Sequence, residues 1–187
     1  MVGTVELAVV MILTFVGGAL AWTFAEYALH RFWGHGPFRF GLFYREHTRH
    51  HAEGHYMTPA LLKWGFAVGL FTGILGLGLF MNQLYLSIAF GAGFSSAYGY
   101  YEYFHWSLHQ YAATSGYGRW ARRHHFYHHF HEPKMNHGVT SPLWDIVFGT
   151  YRSVLKPVRV PQKLAMKWMS LEQRWPGDFA LRGQGGQ

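Results

Sequence analysis

The chain has 187 residues, half of them apolar and 19% aromatic, with only 13% charged against about 25% in an average soluble domain, which favours a membrane protein. Cysteine is absent, which excludes disulfides, thiolate zinc sites, haem–thiolate ligation and iron–sulfur clusters, so any metal must be held by nitrogen and oxygen. The net charge of +7 points to an anionic surface or to nucleic acid, and its placement decides which.

In chain order, the first element is the uncharged run from Leu7 to Ala25, "LAVVMILTFVGGALAWTFA". It is long enough to cross about 30 Å of hydrocarbon as a helix. Without a basic start or a small-residue cleavage site it reads as a retained span, not a signal peptide. "EYALHRFWGH" follows, with Glu26, His30 and His35, then "HTRHH", with His47, His50 and His51. The uncharged stretch from Trp64 to Tyr101 is too long for one span and suits two, turning at Asn82-Gln83. At its exit "YEYFHWSLH" carries Glu102, His105 and His109, and "HHFYHHFHE" adds His125, His128 and His129. The tail from Leu155, with "MKWMSLEQRW", reads as an interfacial amphipathic helix ahead of a disordered "GQGGQ".

The expected fold is therefore all-α: an integral-membrane helical bundle of about three spans with a histidine-rich helical cap. Residues 1–160 form the membrane-embedded domain and residues 161–187 an interfacial or disordered tail. Every Lys and Arg lies between Arg31 and Lys63 or from Arg119 onward, segments that three spans place on one side. The positive-inside rule makes that side cytoplasmic and leaves the N-terminus outside. The charge is thus a topology signal and a contact with anionic headgroups, and nucleic acid is not a partner.

All fourteen histidines fall between His30 and His137, on that same side. Helix positions i, i+3 and i+4 share a face, so His47/His50/His51, His105/His109 and His125/His128/His129 can each aim into one volume. His30 and His35 are five apart, about 140° around an α-helix, and on a continuing α-helix would reach two neighbouring ions more easily than one. Neutral imidazole suits iron, zinc and copper. His55, His124, His131 and His137 fall outside the pattern and are expected in outer or surface roles. Glu26 precedes His30 by four residues and Glu102 precedes His105 by three. Each either orients a ligand histidine through its second N–H or pairs with a nearby cation such as Arg31. A histidine-based metal transporter or buffer is the non-enzymatic alternative, but it predicts ligands spread along a path through the spans. Clustering beyond the span ends argues for a fixed site.

The pattern HX4H, HX2HH, HX3H, HX2HH around membrane spans resembles the fatty acid hydroxylase superfamily of di-metal oxygenases. "EYALHRFWGH" is similar to the first box of its fatty acid 2-hydroxylases. "NHGVTSPLWDIVFGTY" is similar to the segment after the last box of the sterol desaturase and 2-hydroxylase branches. The resemblance implies two iron ions, with zinc able to replace them in purified protein, and O2 as co-substrate. The reaction it implies is hydroxylation of a fatty acyl or sterol-like membrane lipid. Lipid desaturation at the same site and carotenoid hydroxylation are the alternatives. One metal would be held by His30, His47, His50, His105 and His125, and the other by His35, His51, His109, His128 and His129. Asn136 and Asp145 would join Glu26 and Glu102 around these ligands. His137 stands where the family usually has an aromatic, which leaves a ligand change or a surface substitution open. The 187 residues contain no cytochrome b5-like domain and no dinucleotide fingerprint. An external electron donor, a ferredoxin or cytochrome b5-like protein, is therefore expected, in a bacterial inner membrane or the endoplasmic reticulum.

Overall fold

A computed structural model describes residues 3–170 and 177–182. The chain forms two compact units, the first from the residues up to Ala25 with Thr58–Glu102, the second from Glu26–Met57 with the residues from Tyr103 on.

The first unit contains most of helix α1 (Thr4–Ala28), α3 (Ala60–Phe80) and the start of α4 (Leu84–Gln110), and α2 (Gly41–Glu53) belongs to the second. The helices α3 and α4 are joined where the uncharged run was expected to turn, with Asn82 in the left-handed region (φ 54°) that Asn tolerates better than most residues. Glycines let α1 and α4 touch backbone to backbone. A Cβ on Gly18 would lie 2.1 Å from the Phe90 carbonyl oxygen, and one on Gly93 would lie 1.9 Å from that of Phe15. Such small-residue crossings are how helices pack where lipid removes any hydrophobic drive between them. Below the crossing the buried Trp22 ring meets Phe94 and Tyr98 edge-on, with centroids 5.3 and 4.7 Å away.

Among the described residues, two helical stretches are long and apolar enough to cross a membrane, Thr4–Gly34 and Ala60–Phe80. Of their most apolar windows only 11% and 0% is buried within the protein. Core helices of a soluble protein hide such surface, whereas a bilayer covers it. The third expected span corresponds to α4, which at 27 residues is long enough. Its "FSSAYGYYEY" stretch brings hydroxyls and a carboxylate, so it does not reach the same apolarity. Its Glu102 pairs with Lys63 at 2.6 Å.

In the second unit α1 gives way to a π-helical turn, Leu29–Gly34. It is followed by α2 (Gly41–Glu53), the end of α4, α5 (Gly116–Phe130) and the short α6 (Leu143–Val147). Ser115 caps α5 by accepting the Gly118 N–H at 3.1 Å. One face of α5 carries Phe126 and Phe130 into a core with Val158, Val160, Met166 and Trp168.

Two expectations are corrected here. The fold is mostly helical but not all-α, because β1 (Val158–Pro161) pairs in parallel with β2 (Phe179–Arg182). The alternation in "VRVP" buries Val158 and Val160 and exposes Arg159, a period-two pattern that suits a strand. The described part of the tail is neither interfacial helix nor disordered. Met166 and Trp168 are buried, Trp168 donates its indole N–H to the His109 carbonyl (3.1 Å), and Lys167–Ser170 is a 3₁₀ turn. Asp178 accepts from Arg119 at 2.6 and 2.7 Å and from Arg123. Residues 171–176 and 183–187, with the rest of the expected amphipathic helix and the "GQGGQ" end, lie outside the described residues.

Candidate metal centre

Within the second unit the ten expected histidines come together as two groups of five. His30, His35, His47, His51 and His128 offer nitrogens all within 4.8 Å of one another, and so do His50, His105, His109, His125 and His129. The set is the expected one, but its division is not.

The correction follows from helical geometry. In the π turn the His35 N–H bonds to the His30 carbonyl at 3.1 Å, an i→i+5 closure that brings residues five apart onto one face. His30 and His35 therefore serve the same group, where an ordinary α-helix would have parted them. On α2 and α5 the i,i+4 pairs, His47/His51 and His125/His129, stay together, since four residues return to within about 40°. The i+3 histidines, His50 and His128, sit about 100° from their i+4 neighbours and cross to the opposite group. Each HX2HH box thus feeds both groups. His105 and His109, four apart on α4, stay in the second.

The outward nitrogens are held by backbone carbonyls. Nδ1 of His30 lies 2.5 Å from the His137 carbonyl oxygen, that of His50 2.6 Å from Tyr56, that of His109 2.8 Å from Gly54 and that of His128 2.7 Å from Met135. With the ring proton on Nδ1 donated to these carbonyls, the neutral ring turns a bare Nε2 lone pair inward.

The inward nitrogens crowd. Nε2 of His35 lies 2.8 Å from that of His47, 2.9 Å from that of His128 and 3.2 Å from that of His51. In the second group Nε2 of His125 lies 2.9 Å from that of His109 and 3.1 Å from that of His105. Mutual hydrogen bonds cannot account for this, because one His35 proton cannot serve three acceptors and His128 and His109 have given theirs to carbonyls. Among the described residues, Nε2 of the buried His30 and both nitrogens of the buried His129 have no hydrogen-bond partner. Two nitrogens about 2.1 Å from one ion at a right angle lie about 3 Å apart, so the spacing and the all-imidazole donors both fit a metal ion in each group.

Electrostatics agree. Burial, with the nearby His137 and Arg39 charges, pushes His35 down to about 4. Burial and then crowding by other imidazoles hold His47, His51, His125, His128 and His129 well below the ordinary value. All are neutral at pH 7, the state in which imidazole ligates.

Of the four residues expected around these histidines, three support them indirectly and Glu102 does not. Glu26 meets neither His30 nor Arg31. It accepts the N–H groups of Val139 (2.5 Å) and Thr140 (3.0 Å) and the Thr140 hydroxyl (2.7 Å). Glu102 belongs to the Lys63 pair and not to His105. Asp145 accepts from His137 N, Gly138 N and the Thr150 hydroxyl at 2.7–2.8 Å. Asn136, left-handed at φ 58°, bridges the backbone of Arg152 through both ends of its amide. These three fasten the loop whose Met135 and His137 carbonyls aim His128 and His30. Burial raises the Asp145 carboxyl, but the hydrogen bonds it accepts outweigh this and hold it below the usual range.

Replacing Asp145 with alanine is expected to cost about 2–4 kcal/mol of stability, because buried donors lose their acceptor. It is also expected to weaken metal binding by about 10–100-fold, because the His30 carbonyl partner loosens. Thermal unfolding and a metal titration read the two effects separately, and unchanged affinity would show that the loop does not support the site.

Of the four histidines outside the pattern, His55 is exposed. His131 is also exposed and accepts the Arg159 N–H at 2.8 Å. His124 is buried between the rings of Trp120 and Tyr151. His137 is buried too, which rules out a surface substitution, and its ring packs edge-on to Tyr27 and His30. Gly34 was not foreseen. A Cβ there would come 2.8 Å from Cδ2 and 3.0 Å from Nε2 of His47, so only glycine leaves that ring its place.

The sequence profile described as "Fatty acid hydroxylase" matches residues 15–150, most of the chain and all ten histidines. The chain belongs to the fatty acid hydroxylase family. It is 32% identical over 152 residues to the ceramide very long chain fatty acid hydroxylase scs7 of Schizosaccharomyces pombe, covering 75% of this chain and 43% of that protein. It is 29% identical over 164 residues to the dihydroceramide fatty acyl 2-hydroxylase FAH1 of Arabidopsis thaliana, covering 76% and 62%. A solved structure described as full-length scs7p, with only the hydroxylase domain visible, superimposes with a TM-score of 0.63 at 27% identity. That match covers 82% of this chain and 60% of the other. The chain thus spans less than two thirds of the length of these relatives.

Proposed function

We propose that this chain is an O2-dependent hydroxylase of a membrane lipid, in which each group of five histidines holds one iron ion. The observation that carries the reading is the convergence of two sets of five neutral imidazoles in a chain whose relatives are fatty acyl hydroxylases. Iron bound there would supply the chemistry of O2 activation at an unactivated C–H bond. The remaining work belongs to the protein. Backbone carbonyls fix the tautomer and aim of four ligand rings, burial keeps them unprotonated, and the Glu26–Asp145 loop holds the carbonyls still.

The names of the relatives favour an acyl chain over a sterol-like or carotenoid substrate. Two five-histidine groups side by side, and not a row of ligands through the spans, argue against a metal transporter. The apolar helices support an integral membrane protein, and the Lys and Arg distribution supports a cytoplasmic histidine-rich cap with the N-terminus outside. Electrons would come from a separate protein, a ferredoxin or a cytochrome b5-like carrier.

The test compares the lipids of cells expressing the wild-type chain with those of cells expressing His128→Ala, an electron-donor system being present. A lipid heavier by one oxygen atom in the wild type alone is expected, and its fragments identify the chain oxidised. A lipid lighter by two hydrogens would replace hydroxylation by desaturation. Identical lipids would contradict the proposal.

A further inference from the structure

The first histidine group is the more open of the two, with His35, His47 and His51 each partly exposed. Beside it lies a patch that the metal site does not explain. Phe32, Phe38, Phe40, Leu42 and Phe43 are all exposed, Phe40 by 66%. Single exposed apolar side chains are ordinary, but five within twelve residues form a patch of the kind that marks an interaction surface. Trp33 and Phe38 pack with ring centroids 4.7 Å apart, and Phe38 and Phe40 at 6.5 Å. Phe43 lies parallel to His47, 5.9 Å centroid to centroid and 5° from coplanar, so the patch ends on a ring of the candidate site.

Charge and chain reach select the occupant. Arg31, Arg39 and Arg45 interleave with the aromatics and outnumber the nearby acids: Glu46 is buried and accepts from Tyr56 and from Arg45 (3.4 Å), and Glu53 pairs with Arg49 at 2.8 Å. The exposed balance is positive, which suits anionic headgroups. Phe40 follows the apolar helix closely, since the six residues after Gly34 extend at most about 20 Å. Aromatics mixed with arginine at the end of an apolar helix are the composition of a membrane interface.

We propose that the segment Phe38–Phe43 inserts into the interfacial layer of an anionic bilayer and that Phe43 guides a lipid acyl chain from there to the first histidine group. The second part rests on the hydroxylase reading, and the first does not. The segment is then the entrance through which substrate reaches the site without crossing water, and Phe43 is a positioning residue for the chain beside His47.

The 187 residues contain no cysteine, so Phe40→Cys gives a single labelling position in the chain. A nitroxide there is read in liposomes of phosphatidylcholine with phosphatidylglycerol, with His55→Cys as the exposed control. The label at position 40 is expected to be several-fold more accessible to oxygen than to an aqueous nickel chelate, and the label at position 55 to show the reverse. Equal nickel access at both positions would overturn insertion. Shielding from both reagents with dipolar broadening between labels would overturn it in favour of contact between two copies. Because insertion is read from the label alone, it stands or falls independently of lipid oxidation. For Phe43, the Phe43→Ala chain is expected to keep its metal content while KM for the acyl lipid rises roughly tenfold and kcat changes little. An unchanged KM, or a loss of metal instead, would overturn its role.

Discussion

Replacing His128 or His51 with alanine is expected to lower the bound metal from two ions per chain to about one and to reduce lipid hydroxylation by at least ~100-fold. The size follows from where these rings sit. His128 is fully buried, its Nδ1 is committed to the Met135 carbonyl, and its Nε2 lies 2.9 and 3.3 Å from those of His35 and His51. Its buried neighbour His137, 5.3 Å away ring to ring, is held by the Lys134 carbonyl at 3.1 Å. Even partners one step removed from a metal commonly change affinity by about 10–100-fold, so loss of a ligand should exceed that. Because His51 and His128 belong to the same group, either substitution should spare the second, and metal analysis after mild dialysis should find one ion retained. Replacing the exposed His55 should leave both ions and the activity in place. Loss of both ions from the His51 variant would mean that the groups are not separable sites. Full retention of metal and activity would mean that His51 is not a ligand.

The second large effect is expected from a residue with no chemistry of its own. Gly34→Ala adds one methyl group that must fall within 3 Å of the His47 ring and 3.4 Å from Cδ2 of His30. The His47 ring cannot swing away freely, because it is confined between Phe43 and the rings of His35 and His51. The methyl group should therefore push His47 from the first group while the helices stay folded, since alanine is a better helix former than glycine. A normal far-ultraviolet spectrum, one ion per chain and activity lowered by ~100-fold are expected. Full metal occupancy in that variant would show that the pocket absorbs the methyl group and that Gly34 is not needed for His47.

How much of this was legible beforehand depended on which interactions are local. Eight of the ten histidines stand out because i, i+3 and i+4 spacing needs only a helix, and the three boxes that hold them lie on helices. The two most apolar stretches and the Asn82 turn were legible for the same reason. The division of ligands was not, because it turned on a single π turn at Leu29–Gly34 that brings His30 and His35 together. It turned also on the 100° between His50 and His51, and between His128 and His129. The outer partners were missed because carbonyls carry no residue identity. Those of Gly54, Tyr56, Met135 and His137 act through where their loops lie. Of the two roles open to Glu102, orienting a histidine or pairing with a cation, the structure has the second, and Lys63, distant in sequence, is the cation. The tail misled because its apolar residues serve a protein core: Met166 and Trp168 pack on Phe126 of the same helix that carries four of the buried histidines, an association only the folded chain reveals.

The most direct measurement is the source of the oxygen. The full chain, loaded with iron and supplied with reductant and a redox carrier in liposomes, is exposed to isotopically heavy O2, and its lipids are weighed. An acyl lipid carrying one heavy oxygen atom, lost when His128 is replaced by alanine, is expected. A product whose new oxygen comes from water, or one formed equally by the His128→Ala chain, would contradict an O2-dependent hydroxylase built on these histidines.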